Sequence, residues 1–416
     1  MSDTTEIQAL IDAAPDGATV TLDPGRVYNI DQAGSAPYGL LIPPGKTVHL
    51  DGRGAALVMG PGTASMSTLM IRGAGCVVRS LRFQAADQPA QQHRHGLWVE
   101  GPGNTVATCL AQGMPADGFY AYTGADDLTF LNCTAVDNGR NGITFGGAVN
   151  RVQVIGGIYQ GSAAQQLDVE PGNGNTVNGL TILNTTVGAG PGGDYAITLG
   201  DHGQNHKVLS CNVTGGIYAV WTQGLLIDDC RIAIPPQSTH APLEIWRSAT
   251  DVQVTNCVMH TGQAKRGIWL TATGPGNAAS WVLISGTWVY TEPGQGAAAI
   301  EINGALRTDI DDCRLFGPNE RIPGRGGIMI RPTVPGQDME RVMIQDTLID
   351  GFGDYGIVVG HAASRLKRLQ VNGCDFGEEN AKFAMDATVA QLVLGTNTGV
   401  PDWGAITTRP TAVVQL

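Results

Sequence analysis

The chain is poor in the signals that mark several protein classes, and each shortage excludes something. No run of ~18 apolar residues occurs, so no segment is long enough to cross a bilayer as a helix. Beyond the first residues no stretch carries the apolar period of an amphipathic helix, so long helices are not expected. Charged residues make up only 15% of the chain, and 37 acidic against 25 basic side chains leave a formal charge of −12. That balance disfavours nucleic acid or an anionic membrane as partner. No Cys-x-x-Cys occurs and each of the 8 cysteines stands alone, so neither a metal site nor a disulfide framework is expected. The N-terminus has no basic segment, no apolar core and no cleavage site, so a classical export signal is not expected.

Glycine is abundant instead, at 58 of 416 residues about double its usual share. Much of it belongs to a short phrase, Gly followed by alternating apolar residues, that returns at intervals of roughly 20 to 30 residues in most of the chain. The phrase reads Gly96-Leu97-Trp98-Val99, Gly118-Phe119-Tyr120-Ala121, Gly142-Ile143-Thr144-Phe145, Gly216-Ile217-Tyr218-Ala219, Gly267-Ile268-Trp269-Leu270, Gly327-Ile328-Met329-Ile330 and Gly356-Ile357-Val358-Val359. Each is too short to bury its own apolar side. Strand-like alternation at such a period means stacked turns, each covering the face of the next.

A second ladder keeps step with the first: a polar residue or Gly followed by Cys or Thr, as in Asn132-Cys133, Asn184-Thr185, Ser210-Cys211, Asp229-Cys230, Asn256-Cys257, Asp312-Cys313, Asp346-Thr347 and Gly373-Cys374. Cysteines at one point of successive turns read as a reduced stack of small apolar side chains inside the coil. The expected fold is an all-β solenoid of about 13 coils in one domain, because a solenoid grows along one axis and needs no division. A cap is expected over 1–35, the solenoid over 36–397 and a tail over 398–416. Within the cap, Thr4 or Thr5 is expected to start a short amphipathic helix through Ile7, Leu10 and Ile11 that ends before Pro15 and covers the open end of the coil.

The stretch Ile7-Gln8-Ala9-Leu10-Ile11-Asp12-Ala13-Ala14, then Gly17-Ala18-Thr19-Val20-Thr21-Leu22-Asp23-Pro24-Gly25 and Val27-Tyr28, resembles the opening of pectate-lyase-like right-handed parallel β-helix proteins, phage tailspike depolymerases among them. The repeats over about 36 to 397 look like the coils of that superfamily. The resemblance implies a right-handed parallel β-helix acting on a poly- or oligosaccharide, as a hydrolase, lyase, epimerase, transferase or binding protein. Polygalacturonase, pectate lyase and epimerase site patterns are not found in order. Without an export signal, a cytoplasmic or phage-particle location is expected, with a monomer or weak homo-oligomer and no cofactor.

Function must then come from side chains pointing out of the coil, which in each Gly phrase are the third and fifth. Those positions interleave aromatics with carboxylates: Trp98 and Glu100, Tyr120 and Tyr122, Thr144 and Gly146, Asp168 and Glu170, Tyr218, Glu244 and Trp246, Trp269 and Thr271, Glu301 and Asn303. Flat rings beside carboxylates and amides suit a pyranose, which offers one apolar face and a rim of hydroxyls. The sharpest constellation is Gln166-Leu167-Asp168-Val169-Glu170-Pro171, where two carboxylates on one strand sit at positions roughly 6.5 to 7 Å apart. Close carboxylates resist joint ionisation, so one can serve as general acid and the other as base or nucleophile. Asp168, Glu170 and Asp201 are the expected catalytic residues, with Thr144 and Gly146 expected to leave a shallow gap for a sugar ring. A structural account has Asp168 and Glu170 binding a surface cation or pairing with Arg140 or His202.

The expected substrate contacts are Trp98, Tyr120, Tyr122 and His202 around that pair, and Glu244, Trp246, Arg247, Arg266, Trp269, Glu301 and Asn303 in a second mixed-charge patch. Either cluster can be the centre, with the other a distal subsite. The arginines suit a uronate or sulfate, because a guanidinium fork matches planar anions. A lyase or epimerase reading assigns proton abstraction to Tyr120, Tyr122 or His202 with Arg247 or Arg266 neutralising the uronate, and a third reading is a glycan-binding tail fibre or adhesin without catalysis. His93-Arg94-His95 and Asp201-His202 through His206 hold metal-binding residue types without a three-ligand geometry, so no metal is expected.

Overall fold

The alternation of buried and outward residues in each Gly phrase is realised as a short parallel strand: in Phe119–Ala121, Phe119 and Ala121 are buried while Tyr120 is half exposed. In this computed structural model the chain is an all-β parallel solenoid of about 12 turns, one fewer than the repeats suggested, with a single short helix among the described residues. The structure describes residues 2–398 apart from 61–65, 87–92, 173, 192–194, 201, 263–265, 273, 275, 277, 294–297, 319–325, 354, 361–363, 378–382 and 386–388, together with the backbone of 412–415.

Two compact units, Met1–Lys207 and Val208–Leu416, are built alike. Each turn contributes one strand to each of three parallel sheets, and strands stack only on the corresponding strands of adjacent turns. In the first unit one sheet runs Tyr38–Ile42, Ser67–Ile71, Leu97–Val99, Phe119–Ala121, Ile143–Gly146, Leu167–Glu170 and Ile197–Leu199. Its counterpart in the second unit runs Ile217–Val220, Leu243–Trp246, Arg266–Thr271, Ala298–Asn303, Gly326–Ile330, Tyr355–Val359 and Phe383–Met385. These are the strands of the Gly phrase.

The second ladder marks a corner. Asn132, Asn184, Ser210, Asp229, Asn256, Asp312, Asp346 and Gly373 all have positive φ, between 45° and 65°. That left-handed conformation costs most residues free energy and is tolerated by Gly, Asn and Asp, which explains the residue types. The Cys that follows turns inward: Cys133 Sγ lies 3.3 Å from the Val106 carbonyl of the preceding turn, and Cys109 Sγ lies 3.7 Å from that of Val78. All 8 cysteines are buried and unbridged. Burial pushes the Cys133 thiol up to about 12, which keeps that sulfur a thiol packed inside the coil.

The cap differs from expectation in its first residue. The helix is Asp3–Ala13 and its N-cap is Ser2, whose hydroxyl accepts from the Thr5 N–H at 3.3 Å. Thr4 instead faces inward and its hydroxyl accepts from the Asp31 N–H. Ile7 and Ile11 are fully buried, whereas Leu10 is 46% exposed and takes no part in the apolar face. Gln8 reaches the first strand edge, where its amide accepts from the Leu41 N–H and donates to the Leu41 carbonyl, both at 2.9 Å. The helix thus occupies groups that an open sheet edge would offer to another chain. Strands Ala18–Thr21 and Val27–Ile30 already belong to the solenoid sheets, and Ala412–Gln415 pairs in parallel with Gln391–Leu394.

Candidate functional site

The register of the first unit's sheet builds an outward ladder. Met70, Trp98, Tyr120, Thr144, Asp168 and Thr198 are successive partners across adjacent strands. Two residues further along, Gly146 pairs with Glu170. Aromatics therefore lie two and three turns before the carboxylates, with Thr144 and Gly146 on the turn between. Their rings interlock: Tyr120 and Tyr122 stack at 5.7 Å, and Trp98 meets them edge-on at 4.9 and 5.7 Å.

The expected gap above Thr144 and Gly146 is not open. Thr144 is fully buried, and a methyl group at Gly146 would lie 2.5 Å from the Tyr120 hydroxyl. Glycine at that position makes room for the phenol of the previous turn, so Tyr120 takes the space assigned to a sugar ring.

Asp168 and Glu170 share one strand, Leu167–Glu170, but not one environment. Asp168 is 7% exposed, whereas the Glu170 side chain is 52% exposed. The Glu170 carboxyl is near enough to act on that of Asp168. Burial, followed by the charge of Glu170, pushes the Asp168 carboxyl up to about 8 against the opposing pull of Arg140.

Beneath the pair lies a group of side chains that the outward-position rule does not find. His95, Asp117, Asn141 and Gln165 each immediately precede the start of the strand phrase and stack turn on turn, with the N–H groups of Gly96, Gly118 and Gly142 donating to the carbonyls of Asp117, Asn141 and Gln165. Asp117 is fully buried. Arg140 forks onto it, with Nε donating to Oδ1 at 2.8 Å and Nη2 to Oδ2 at 2.7 Å, while Nη1 donates to Glu170 Oε2 at 3.1 Å. The Asn141 N–H donates to Asp117 Oδ1 at 3.1 Å, and His95 Nδ1 stands 3.1 Å from Asp117 Oδ2. Burial alone would raise the Asp117 carboxyl, but the charges of His95 and Arg140 and their hydrogen bonds outweigh it and hold Asp117 at about 2. The Asn141 side chain donates to Asp168 Oδ2 at 2.9 Å and accepts from the Gln165 N–H at 3.0 Å.

The pairing expected with Arg140 is therefore present at Glu170, and Asp168 has an amide partner. His202 is an exposed turn residue with φ of 63°, and Asp201 lies outside the described residues. His95, read as a metal-type residue, stacks on Tyr120 at 4.5 Å with rings 6° apart. Burial and the charge of Asp117 push the Tyr120 phenol above its ordinary value, so it keeps its proton and makes a poor base. The signal for the missed residues was available: polar side chains repeat at the position before the Gly phrase, where most solenoid turns need only a small corner residue.

In the second unit the register brings Tyr218, Glu244, Trp269, Glu301 and Met329 together, with Val220, Trp246, Thr271 and Asn303 alongside. Glu244 and Glu301 are two strands apart with Trp269 between them. Glu301 is 1% exposed and accepts from Arg266 at 2.5 Å, Asn303 at 2.8 Å and Arg331 at 3.4 Å. Arg266 also lies 3.9 Å above the Trp269 ring. Arg247 stands over Trp221 and Trp246 at 5.0 and 5.5 Å, and Tyr218 and Trp269 meet Trp246 edge-on. Burial pushes Glu244 up to about 7, with Trp246 and Arg266 offsetting part of the rise. The aromatic and charged residues expected to line this patch are thus gathered in it, but Arg266 is engaged with Glu301. Among the described residues no three His, Cys, Asp or Glu side chains group as a metal site, and no helix is long and apolar enough to cross a membrane.

No protein-family model matches the chain, and no curated protein matches it. Among solved structures, the Dettilon tailspike protein is similar at 10% identity and a TM-score of 0.41, over 81% of this chain and 62% of that one. The Azotobacter vinelandii mannuronan C-5 epimerase AlgE6 A-module is similar at 14% identity and a TM-score of 0.35, over 100% and 94% of the two chains. The catalytic domain of a GH87 alpha-1,3-glucanase is similar at 13% identity and a TM-score of 0.39, covering 95% of this chain and 63% of that one.

Proposed function

We propose that the chain is a carbohydrate-active enzyme that binds a poly- or oligosaccharide along the outer face of the first unit's sheet and cleaves a glycosidic bond with the Asp168–Glu170 pair. The observation that carries this reading is a pair of carboxyls two positions apart on one strand, one buried and one exposed, with burial and the charge of Glu170 pushing the Asp168 carboxyl up. Glycoside cleavage needs an acid that is still protonated at neutral pH, and a desolvated carboxyl beside a second carboxylate supplies it. One member of the pair delivers its proton to the glycosidic oxygen as the bond from the anomeric carbon to that oxygen breaks. Water then adds to the anomeric carbon, and its proton returns to the pair. Trp98, Tyr120 and Tyr122 supply the apolar wall for a sugar face.

A lyase with Tyr120 as base is disfavoured by the raised phenol. The test is a panel of neutral and acidic polysaccharides incubated with wild type, Asp168→Asn and Glu170→Gln, read for reducing ends and for unsaturated sugars together. New reducing ends without unsaturation, abolished by either substitution, are expected. Unsaturated ends, or activity surviving both changes, sink the proposal, and silence across the panel favours a binding protein.

A further inference from the structure

The reading of the carboxyl pair as proton donor leaves open which member keeps the proton, and the buried side chains beneath answer it. Resting on that reading, we infer that Asp117 is a positioning residue that acts through Arg140, aiming one guanidinium N–H at Glu170 so that Glu170 stays ionised and Asp168 holds the proton.

The argument is geometric. A guanidinium is planar, so two of its N–H directions fix the third. Asp117 takes Nε and Nη2 at 2.8 and 2.7 Å, and Nη1 is then directed along the sheet to Glu170 at 3.1 Å. Asp117 cannot turn away, because the Asn141 N–H holds the same oxygen that Nε uses and His95 closes the other side. Asn141 also donates its side-chain N–H to one oxygen of Asp168 while its own oxygen is fixed by the Gln165 N–H, which leaves the other Asp168 oxygen to meet Glu170. One carboxyl thus receives a full cation and the other a neutral amide. A charge-assisted bond favours ionisation far more than a neutral one does, so the two carboxyls are driven apart in acidity although they sit on one strand. The titratable and charged groups facing the pair are Arg140 from the preceding turn and Asp117, Tyr120 and Tyr122 from the turn before that, with His95 behind Asp117. Only Arg140 among them is a cation in direct contact with either carboxyl.

The experiment follows the carboxyl carbon resonances of Asp168 and Glu170 through a pH titration of the full chain, without substrate, assigned with Asp168→Asn and Glu170→Gln. In the wild type Glu170 titrates well below Asp168. In Arg140→Gln the Glu170 midpoint is expected to rise by about one to three pH units, the effect of losing an adjacent cation, and the gap between the two to close. Asp117→Asn is expected to move Glu170 in the same direction. If that variant does not fold, Arg140→Lys keeps the cation but lacks the planar fork, and an intermediate shift is expected. Unchanged midpoints in folded Arg140→Gln overturn the inference, as does a wild type in which Asp168 titrates first. Because no glycan is used, the titration can succeed while the polysaccharide panel is silent, or fail while cleavage is found. Where cleavage is found, Arg140→Gln also displaces the alkaline limb of the pH–rate profile, which a purely structural role for Arg140 leaves in place.

Discussion

The two acidic clusters use the same residue types and reach opposite states. In the first unit Asp168 and Glu170 sit two positions apart on one strand, so nothing separates them, and a single guanidinium is divided between Glu170 and Asp117. In the second unit Glu244 and Glu301 sit on strands two apart, with Trp269 in register between them. Glu301 there receives Arg266, Arg331 and Asn303 and is a finished ion pair, while Glu244 is buried beside Trp246 and is pushed up chiefly by burial. Proximity along the strand lets the charge of Glu170 add to burial in pushing Asp168 up; across strands, with an indole interposed, Glu301 is not among the causes that push Glu244 up. The proposed acid–base chemistry accordingly uses the first unit's pair, with the second unit's aromatics and arginines proposed as ligand contacts.

The largest effect that sharpens the contrast is on turnover. Asp168→Asn or Glu170→Gln is expected to lower glycan cleavage by about 10²- to 10⁴-fold, the usual worth of a positioned acid or base, whereas Glu244→Gln leaves it within a few-fold. Rates measured on whichever polysaccharide the panel identifies decide between them, and a larger loss from Glu244→Gln would reverse the assignment. Next in size is stability. Asp117→Ala removes the buried partner of Arg140 and His95, leaving Arg140 only Glu170, and is expected to cost about 1.5 to 3 kcal/mol in urea-induced unfolding, as is Glu301→Ala, which removes the partner of Arg266 and Arg331. Near-neutral effects of both would mean that water screens these pairs.

A subtler difference is in pH dependence. Folding raises Asp168 to about 8 and Glu244 to about 7, so the folded state holds protons that the unfolded chain has released. Each contribution is complete below the ordinary carboxylate values of 3.8 and 4.5 and is lost as pH rises through about 8 and about 7 respectively. Asp117 acts in the opposite sense: its contribution is present above 3.8 and lost as pH falls through about 2. Asp168→Asn should flatten the alkaline decline in unfolding free energy up to pH 8, and Glu244→Gln only that up to pH 7. A decline unaltered by either would show that these carboxyls ionise normally. The smallest expected effect is from Trp269→Leu, which removes the ring under Arg266 and should cost about 1 kcal/mol beyond the lost area, with little change in cleavage.

Much of the scaffold was legible because a solenoid writes its geometry into the sequence at a fixed period. The Gly phrase located the strands, and the corner ladder of Asn, Asp and Gly reports positive φ directly. Trp98, Tyr120 and Asp168 were likewise found by alternation, and the register joins them as expected. Alternation speaks only of which side of a strand a residue occupies, however. It gave no warning that Tyr120 would lie across Gly146, or that Ser2 rather than a threonine would cap the helix.

By itself the sequence determined a parallel solenoid with an aromatic and acidic outer strip, because local alternation and repeat period suffice to set strand direction and burial. Only the tertiary structure decided the electrostatics of that strip. Asp117, Arg140, Asn141 and Asp168 come from three successive turns, separated by 23 to 30 residues from the partners they bond. No local pattern encodes which of them meet, since the meeting depends on the registration of one turn on the next. Acidity depends on those meetings and on burial, and both are set only when the turns are stacked.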